Sequence, residues 1–290
     1  MAKTNYEGKA CDAVLRHLEG RLSASRKNVR FPEKEKDAAP VEIACRLNDQ
    51  LYAFEHTTVE PFTGQIQNDV FFDRQFIPIG ERLGPSVPAG ERWELIIPVD
   101  AMNGLSPGQV LKVQDAVIEL VQAASRQLDA VPWGPINRGR SFAQEDGAPI
   151  SFSFRRWAMG PTYEGGLLGA HITRSVGNLE TPRIERMRKT CDTKFAKLAD
   201  WRRRGARSIL VLSSDDIILT SPHAVAHAYL EAEQTFSERP DEVYFVWTWP
   251  DAPKWPLTII RIGDRDFTTL CREGANQIEV DVGELSDLTH

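Results

Sequence analysis

The N-terminal part of the chain combines a helical and an extended pattern of apolar positions. Over residues 8–27, apolar residues recur every three or four positions, which is the spacing of one buried face of an amphipathic helix. Two apolar runs follow at residues 41–47 and 51–59, and the polar pair Asn48 and Asp49 lies between them. Such a pair between two short strands is typical of a tight β-hairpin. The pattern therefore predicts a helix followed by an antiparallel hairpin.

Helical and strand patterns alternate through the rest of the chain. Residues 61–92 are rich in glycine and proline and are predicted to be a loop or an insertion. Three further helices each begin at a Ser-Pro or Thr-Pro pair, which places proline in the first turn, where its missing N–H is tolerated best. They are predicted over residues 105–128, 183–204 and 221–236. Strands are predicted near residues 93–99, 150–157, 167–173, 208–213, 243–247 and 257–262. This alternation indicates an α/β protein.

The composition is that of a folded globular protein. The 290 residues are 41% hydrophobic and 26% charged, which allows a sizeable core, and we predict a single domain over 1–290. No stretch approaches the roughly 20 apolar residues of a membrane span, and the N-terminus has no apolar signal core. The four cysteines lie far apart without a CxxC pair, which argues against a zinc knuckle and favours reduced cysteines. The predicted location is the cytoplasm, with no membrane partner.

Charge is distributed unevenly along the chain. The formal net charge of −6 does not favour a protein that coats nucleic acid, because such proteins are usually basic. Within residues 183–207, however, ten lysines and arginines stand against three acidic residues. This basic helix is either a nucleic-acid-binding surface or a solvated helix face, and the sequence leaves both explanations open.

The predicted hairpin brings two glutamates together. If Leu47 pairs with Gln50, opposed residues have numbers that sum to 97, so Glu42 lies opposite Glu55. Directly opposed side chains share a face with Cβ atoms about 4.5–5.5 Å apart, and two like charges at that distance repel. A divalent cation between them would remove the repulsion, since Mg²⁺ is typically held by one or two carboxylates. The alternative is a pair of edge strands on which both glutamates are simply exposed to solvent.

These residues resemble the motifs of the PD-(D/E)XK nucleases, the restriction-endonuclease-like superfamily. The run from Pro40 to Glu42 resembles the "PD" part of the motif, although it lacks the aspartate. The triplet from Glu55 to Thr57 resembles E-x-K, with threonine in place of lysine. The basic helix and the strand after it, residues 189–213, resemble the helix and strand that complete the family's core.

The resemblance implies a fold and a metal site. The fold would be a restriction-endonuclease-like core, with a central mixed β-sheet flanked by helices, formed by residues 8–60 and 183–262. Residues 61–182 would be an inserted α+β region. In this family, acidic residues bind Mg²⁺ or Mn²⁺, which activates water and stabilises charge on the scissile phosphate. The corresponding metal ligands here would be Glu42, Glu55 and the backbone carbonyl of His56.

The resemblance also implies further catalytic residues. Thr57 occupies the lysine position but cannot supply a cation, so a lysine of the following helix would have to replace it. The candidates are Lys189, Lys194 and Lys197, of which Lys194 is the first choice. Glu19, on the first helix, would be an accessory carboxylate.

The predicted function is a metal-dependent phosphodiesterase that acts on nucleic acid, in the first place DNA. Its main alternative is a catalytically inactive nuclease-like domain that binds nucleic acid or protein, because the usual lysine is missing. A third alternative is a different hydrolase that uses residues of the insertion, namely Asn137, Arg138, Arg140, Arg155 and Arg156. His223 and His227 have the spacing of helical metal ligands, but their apolar neighbours favour packing. The sequence leaves homodimerisation open.

Overall fold

The computed structural model describes residues 6–37, 40–60, 65–132, 139–159, 169–175, 179–216, 220–249 and 252–288. Within these ranges the chain is a mixed α/β protein with six helices and two mixed sheets, so the predicted class is confirmed. The helices are α1 (Glu7–Leu22), α2 (Gln65–Leu83), α3 (Pro107–Ser125), α4 (Glu180–Arg203), α5 (Pro222–Glu233) and α6 (Phe267–Arg272). None of the described helices is both long enough and apolar enough to cross a membrane.

The strands are β1 (Arg26–Arg30), β2 (Ile43–Leu47), β3 (Gln50–Thr58), β4 (Glu91–Pro98), β5 (Val131–Pro132), β6 (Gly139–Phe142), β7 (Phe152–Ala158), β8 (Gly169–Ser175), β9 (Arg207–Ser214), β10 (Glu242–Trp247), β11 (Lys254–Ile262), β12 (Arg265–Asp266) and β13 (Gln277–Asp281). Contacts divide the chain into two compact units. The first contains residues 1–63 and 179–290, and the second contains residues 64–178.

The first unit is built on an eight-stranded sheet in the order β1-β2-β3-β9-β10-β11-β12, with β13 also paired to β11. Strands β3, β9 and β10 are parallel to one another, and the remaining neighbours are antiparallel. Helix α1 covers one face, and helices α4 and α5 cover the other. In β9, Ile209 and Val211 face α1, whereas Leu210 and Leu212 face α4 and α5. The strand is apolar throughout because both faces of the sheet are covered.

The second unit has its own sheet and its own core. Its strands are arranged in the order β5-β7-β4-β8, with β6 on β7. Helices α2 and α3 pack on it through buried residues such as Phe76, Ile79 and Val117. The bounds of the insertion predicted over 61–182 nearly coincide with those of this unit, residues 64–178. Our prediction of a single domain differs from the division into two compact units, because the inserted residues bury a separate core.

Helix α2 forms where the sequence predicted a loop or an insertion without regular structure. Its buried residues Phe72, Phe76, Ile79 and Leu83 follow helical spacing, even though Pro78 lies inside the helix. The glycine and proline content of the segment concealed this periodicity. At the N-terminus, α1 ends earlier than predicted because Ser23 adopts a left-handed conformation, with a φ of 47°.

Several strands at the edges were not predicted. Strand β1 has the sequence RKNVR, and its polar edge position gives no apolar alternation. Strands β12 and β13 and the short helix α6 were missed for a similar reason, because each is short and only partly buried. The four cysteines are free, and Cys11, Cys45 and Cys191 are buried.

A buried ion cluster ties α1 to the first unit's sheet. Glu242, at the start of β10, is fully buried and accepts two hydrogen bonds of 2.8 Å from Arg21. Arg207 Nε lies 2.7 Å from Glu242 Oε1, and the hydroxyl of Tyr244 donates to Glu242 Oε2. A buried carboxylate with this many partners stabilises the fold only while the whole set is complete.

We therefore expect Glu242→Ala to lower the free energy of unfolding by about 3 kcal/mol, because two arginines and a tyrosine hydroxyl lose their shared acceptor. The matched control is Glu279→Ala, which removes an exposed carboxylate 3.2 Å from Lys254. That exposed pair should contribute less than about 1 kcal/mol. Urea unfolding of both variants measures the difference. Equal losses would contradict the structural role of the cluster.

Candidate functional site

The hairpin of β2 and β3 has the register that was predicted from its turn. Ile43 pairs with Phe54 and Leu47 pairs with Gln50, and the numbers of each pair sum to 97. The turn is tight because Asn48 takes up a left-handed conformation, which asparagine tolerates better than most residues. Glu42 directly precedes β2, and continuation of this register places it opposite Glu55.

Both glutamates are buried, and their carboxylates converge on one ammonium group. Glu55 is 0% exposed and Glu42 is 9% exposed. Lys194, on α4, donates to Glu42 Oε1 over 2.9 Å and to Glu55 Oε2 over 2.5 Å. The alternative of two glutamates exposed on edge strands is therefore wrong. The cation between them in this structure is a lysine side chain.

A second lysine of α4 reaches the far side of Glu55. Lys197 Nζ lies 3.2 Å from Glu55 Oε1 and 4.0 Å from Glu33 Oε1. Glu55 Oε1 makes no hydrogen bond of good geometry within the described part of the chain. The 3.2 Å approach of Lys197 to Glu55 Oε1 is therefore an ionic contact. One buried carboxylate oxygen thus retains capacity to accept a further donor or a cation.

Burial makes the charged state of these carboxylates unfavourable. Desolvation, followed by the charge of Glu55, raises the pKa of Glu42 to about 9. Desolvation also raises the pKa of Glu55, although Lys194 and Lys197 oppose this shift. The pKa of Lys194 is raised in turn, because attraction to the two carboxylates outweighs its own burial. The ammonium is therefore the group that holds this acidic pair in the folded protein.

Helix α4 positions both lysines at the carboxylates because its apolar side packs against the sheet and α5. Met187, Cys191, Phe195 and Leu198 are buried between α4, α5 and the sheet. Lys194 and Lys197 are three positions apart and therefore lie next to each other on the helix surface. Their half-buried stems lie along the sheet while their ammonium groups reach the carboxylates.

On β3, the side chain of His56 points to the opposite face from Glu55, as the alternation of strand side chains predicted. Its Nε2 lies 2.8 Å from Ser213 Oγ, and its Nδ1 lies 3.8 Å from Glu7 Oε1. The backbone N–H of His56 donates to Glu42 Oε2. The predicted contribution of His56 to a metal site was its backbone carbonyl, and the side chain takes no part in the carboxylate pair.

Two predicted site residues lie away from the carboxylate pair. Glu19 binds Arg26, with hydrogen bonds of 2.8 Å to its backbone and 2.6 Å to its guanidinium. The carboxylate of α1 that lies near the site belongs to Glu7. Glu7 is about 18 Å from Glu19 along the helix axis, toward the N-terminus, at 1.5 Å per residue. Only the tertiary fold identifies Glu7, because it depends on where α1 begins relative to β3. Thr57 shares the face of Glu55 but contacts neither the carboxylates nor Lys194 in the described hydrogen bonds; its hydroxyl lies 3.5 Å from the Thr58 carbonyl oxygen.

The other candidates of the sequence do not form a site either. His223 packs against the ring of Phe267 at 5.0 Å, in agreement with the predicted packing role. In the second unit, Arg155 and Arg156 form ion pairs with Glu94 and Glu91 respectively. Arg140 lies over the ring of Phe142 at 4.8 Å. Asn137 and Arg138 lie outside the described residues.

The carboxylate oxygens at this site suit an ion such as Mg²⁺, but only Glu42 and Glu55 provide them. Two carboxylate oxygens, one from Glu42 and one from Glu55, already face a single cationic group. Mg²⁺ commonly binds one or two carboxylates and takes its other ligands from water and phosphate. No group of three or more histidine, cysteine, aspartate or glutamate residues is arranged to hold a metal among the residues that the structure describes. A bound ion would therefore need the ammonium of Lys194 to move aside.

The bridging role of Lys194 predicts a large loss of stability when its charge is removed. Lys194→Met keeps most of the side-chain volume but leaves two buried carboxylates facing each other, so we expect a loss of about 3 kcal/mol. Lys189 lies exposed on the same helix, and Lys189→Met should change stability by less than about 0.5 kcal/mol. Urea unfolding in EDTA provides both values. A similar small change in both variants would show that Lys194 does not hold the pair.

The raised pKa of Glu42 predicts a pH dependence of stability. The folded state binds this proton more tightly than the unfolded state, so the contribution of Glu42 is fully present below its ordinary pKa of 4.5. It decreases as the pH rises toward about 9. Wild type in EDTA should therefore lose stability as the pH rises from about 5.5 to about 8, roughly a unit inside each end of that window. Glu42→Gln should flatten the dependence, and an unchanged slope would contradict the assignment.

The geometry that defines this site is thus two buried carboxylates on one hairpin and two lysines on one helix. Each side chain is placed by a different part of the fold, since the hairpin register aligns Glu42 with Glu55 and the packing of α4 positions Lys194. No protein-family model, no curated protein and no solved structure matches this chain.

Proposed function

We propose that this protein is a metal-dependent phosphodiesterase that acts on nucleic acid, in the first place DNA. The observation that carries the proposal is the convergence of Glu42, Glu55 and Lys194 at one point. A carboxylate pair with an adjacent lysine is the combination that the E-x-K motif supplies. Here the lysine comes from α4, where the sequence placed its first-choice replacement for Thr57.

The order of the elements supports a restriction-endonuclease-like core for the first unit. A helix, α1, precedes the hairpin of β2 and β3, and a helix–strand–helix series, α4-β9-α5, follows it. Strand β9 lies next to β3 in the sheet, in parallel orientation. The second unit then occupies the place of an insertion between β3 and α4. This order of elements supports the core that the resemblance implied, which remains a proposal.

The site residues would divide the chemistry between them. Glu42 and Glu55 would hold Mg²⁺ or Mn²⁺, which supplies an activated water and neutralises charge on the phosphate when bound. Lys194 holds a positive charge beside the carboxylates and would stabilise the charge that develops on the phosphate oxygens. Lys197 would keep the far oxygen of Glu55 in place.

The charge distribution on α4 supports a polyanionic substrate. Arg188 and Lys189 are exposed on this helix, and Arg186 is half-buried. Such a local concentration of cations attracts a phosphate backbone even when the whole protein carries a net charge of −6. Since the carboxylate pair lies beneath the same helix, the attraction would bring the backbone to the site.

A catalytically inactive binding module is the second candidate. Two features favour it: Lys194 already contacts both carboxylates, and no larger group of metal-binding side chains is found among the described residues. In such a module the Glu42–Glu55–Lys194 cluster would be purely structural. The basic face of α4 would then be the functional surface.

Cleavage assays separate the two candidates. We expect wild type to cleave single- or double-stranded DNA or RNA with Mg²⁺ or Mn²⁺ and not with EDTA. Glu55→Gln and Lys194→Ala should each lower the rate at least tenfold, a conservative estimate because such groups commonly contribute about 10²–10⁴. Lys112→Ala, at an exposed position of α3, is the matched control and should retain the rate within about twofold.

Stability must be measured alongside activity, because Lys194 also holds the fold. Circular dichroism of each variant under assay conditions shows which of them are folded, and Lys194→Arg retains the cation if Lys194→Ala unfolds. Absence of metal-dependent cleavage by folded wild type on all four substrates would overturn the catalytic proposal. Retained binding of nucleic acid in that case would favour the binding module.

A further inference from the structure

A recess lined with arginine and threonine lies beside the carboxylate pair and is not used by the proposed chemistry. It is a small open recess, with a cavity volume of about 10 Å³ for the centre of a water molecule, between the end of β3 and the first half of α4. Its polar lining consists of Thr57, Thr58, Glu60, Arg183, Arg186 and Thr190. Val59 and Met187 complete the floor. All of these residues belong to the first unit.

The recess lies one step away from the carboxylate pair along both elements. Thr57 is two residues beyond Glu55 on the same strand face, which corresponds to about 6.6 Å. Thr190 is four residues before Lys194 on α4, which corresponds to about 6 Å along the helix. Such a step is comparable to the separation of neighbouring phosphates in an extended nucleic-acid strand.

The lining has the chemistry of an anion site. Two guanidinium groups and three hydroxyl groups can donate hydrogen bonds, and guanidinium groups match the oxygens of a phosphate particularly well. The carboxylate that lines the recess, Glu60, accepts a 2.7 Å hydrogen bond from Arg186. Arg183 is half-buried, and this desolvation lowers its pKa, which indicates that its charge is only partly hydrated. Thr58 is exposed, so the recess is open to solvent on its side.

We propose that this recess binds the backbone phosphate next to the one that faces Glu42 and Glu55. Arg183 would be its main contact, and Thr57 and Thr190 would donate from their hydroxyls. The inference rests on the proposed action on nucleic acid, and it assigns Thr57 a role in substrate binding in place of the catalytic role predicted from the motif. Lys194, one helical turn beyond Thr190, then serves the reacting phosphate, and Arg183, about three turns before Lys194 on α4, holds the neighbouring one from the far side of the recess.

Binding measured without metal tests the recess separately from catalysis. A fluorescently labelled single-stranded oligonucleotide is titrated with wild type, Arg183→Met and Arg272→Met in EDTA at several salt concentrations. Arg183→Met should weaken binding about tenfold, as expected for a lost charge-assisted hydrogen bond. It should also reduce the slope of log K against log salt by about 0.7, the value for one phosphate contact on a single strand. Arg272, exposed at the end of α6, is the matched control and should change affinity by less than about threefold.

A threonine pair tests the hydroxyl contact. Thr57→Val keeps the shape of the side chain and removes the donor, so affinity should fall about threefold. Thr193→Val makes the same change at an exposed position of α4 and should have no effect. Thermal melts of all variants confirm that they are folded. Unchanged binding by folded Arg183→Met and Thr57→Val would overturn the inference, whether or not the protein cleaves nucleic acid.

Inorganic phosphate distinguishes a backbone phosphate from a free one. If free phosphate stabilises wild type but not Arg183→Met in thermal melts, while oligonucleotide binding is the same for both, the recess binds the free ion and the proposal is wrong. If cleavage is absent but Arg183→Met still weakens oligonucleotide binding, the recess stands and the catalytic proposal fails. With active wild type, Arg183→Met should raise KM more than it lowers kcat, because the residue positions the strand.

Discussion

Repulsion between Glu42 and Glu55 is the constraint on which the arrangement of the first unit depends. Burial and this repulsion raise the pKa of Glu42 to about 9, so ionising both carboxylates in the same buried place is costly. The hairpin register leaves no other place for these carboxylates, since a shift by one residue would reverse the faces of both strands. The helix that covers this face must therefore supply a cation that contacts both carboxylates. Lys194 meets this requirement because apolar residues fix α4 against the sheet.

The first unit contains two buried carboxylate clusters with different properties. Glu242, at the start of β10, is surrounded by Arg21, Arg207 and Tyr244, and together they join α1 to the sheet. Glu55, in the C-terminal half of β3, retains one oxygen without a hydrogen bond. In open α/β sheets, ligands commonly bind beyond the carboxyl ends of the parallel strands. The Glu55 cluster lies toward that end, and the Glu242 cluster, whose carboxylate accepts hydrogen bonds from Arg21 and Tyr244, lies at the opposite end.

Helix α4 serves the fold and the candidate site at the same time. Its apolar side forms much of the core with α5, and its charged side supplies Lys194, Lys197 and the arginines of the recess. The two lysines compensate buried charge, whereas Arg183 and Arg186 lie at an open recess about two to three helical turns closer to the start of α4. This gradient from buried to open along one helix would allow a charged backbone to bind without the removal of the lysines that stabilise the fold.

The sequence by itself determined the local structure and the pairing of the two glutamates. Asn48 and Asp49 define a tight turn, a tight turn fixes the hairpin register, and the register places Glu42 opposite Glu55. Helical spacing likewise identified α3, α4 and α5, because their apolar residues repeat over several turns. Lys194 was the first choice among three lysines. The sequence provides no distance from Lys194 or Lys189 to the two glutamates, so it could not show which of them contacts the pair.

Only the tertiary structure decided which charged groups meet. Glu19 and Glu7 both lie on α1, and the angle and position of that helix bring Glu7, not Glu19, near His56. Thr57 follows Glu55 on the correct face, but packing against α4 places it in the recess with the arginines. Periodicity reports which side of an element is buried. It does not report which element covers that side, and the long-range contacts that settle this question arise only when the whole core is formed.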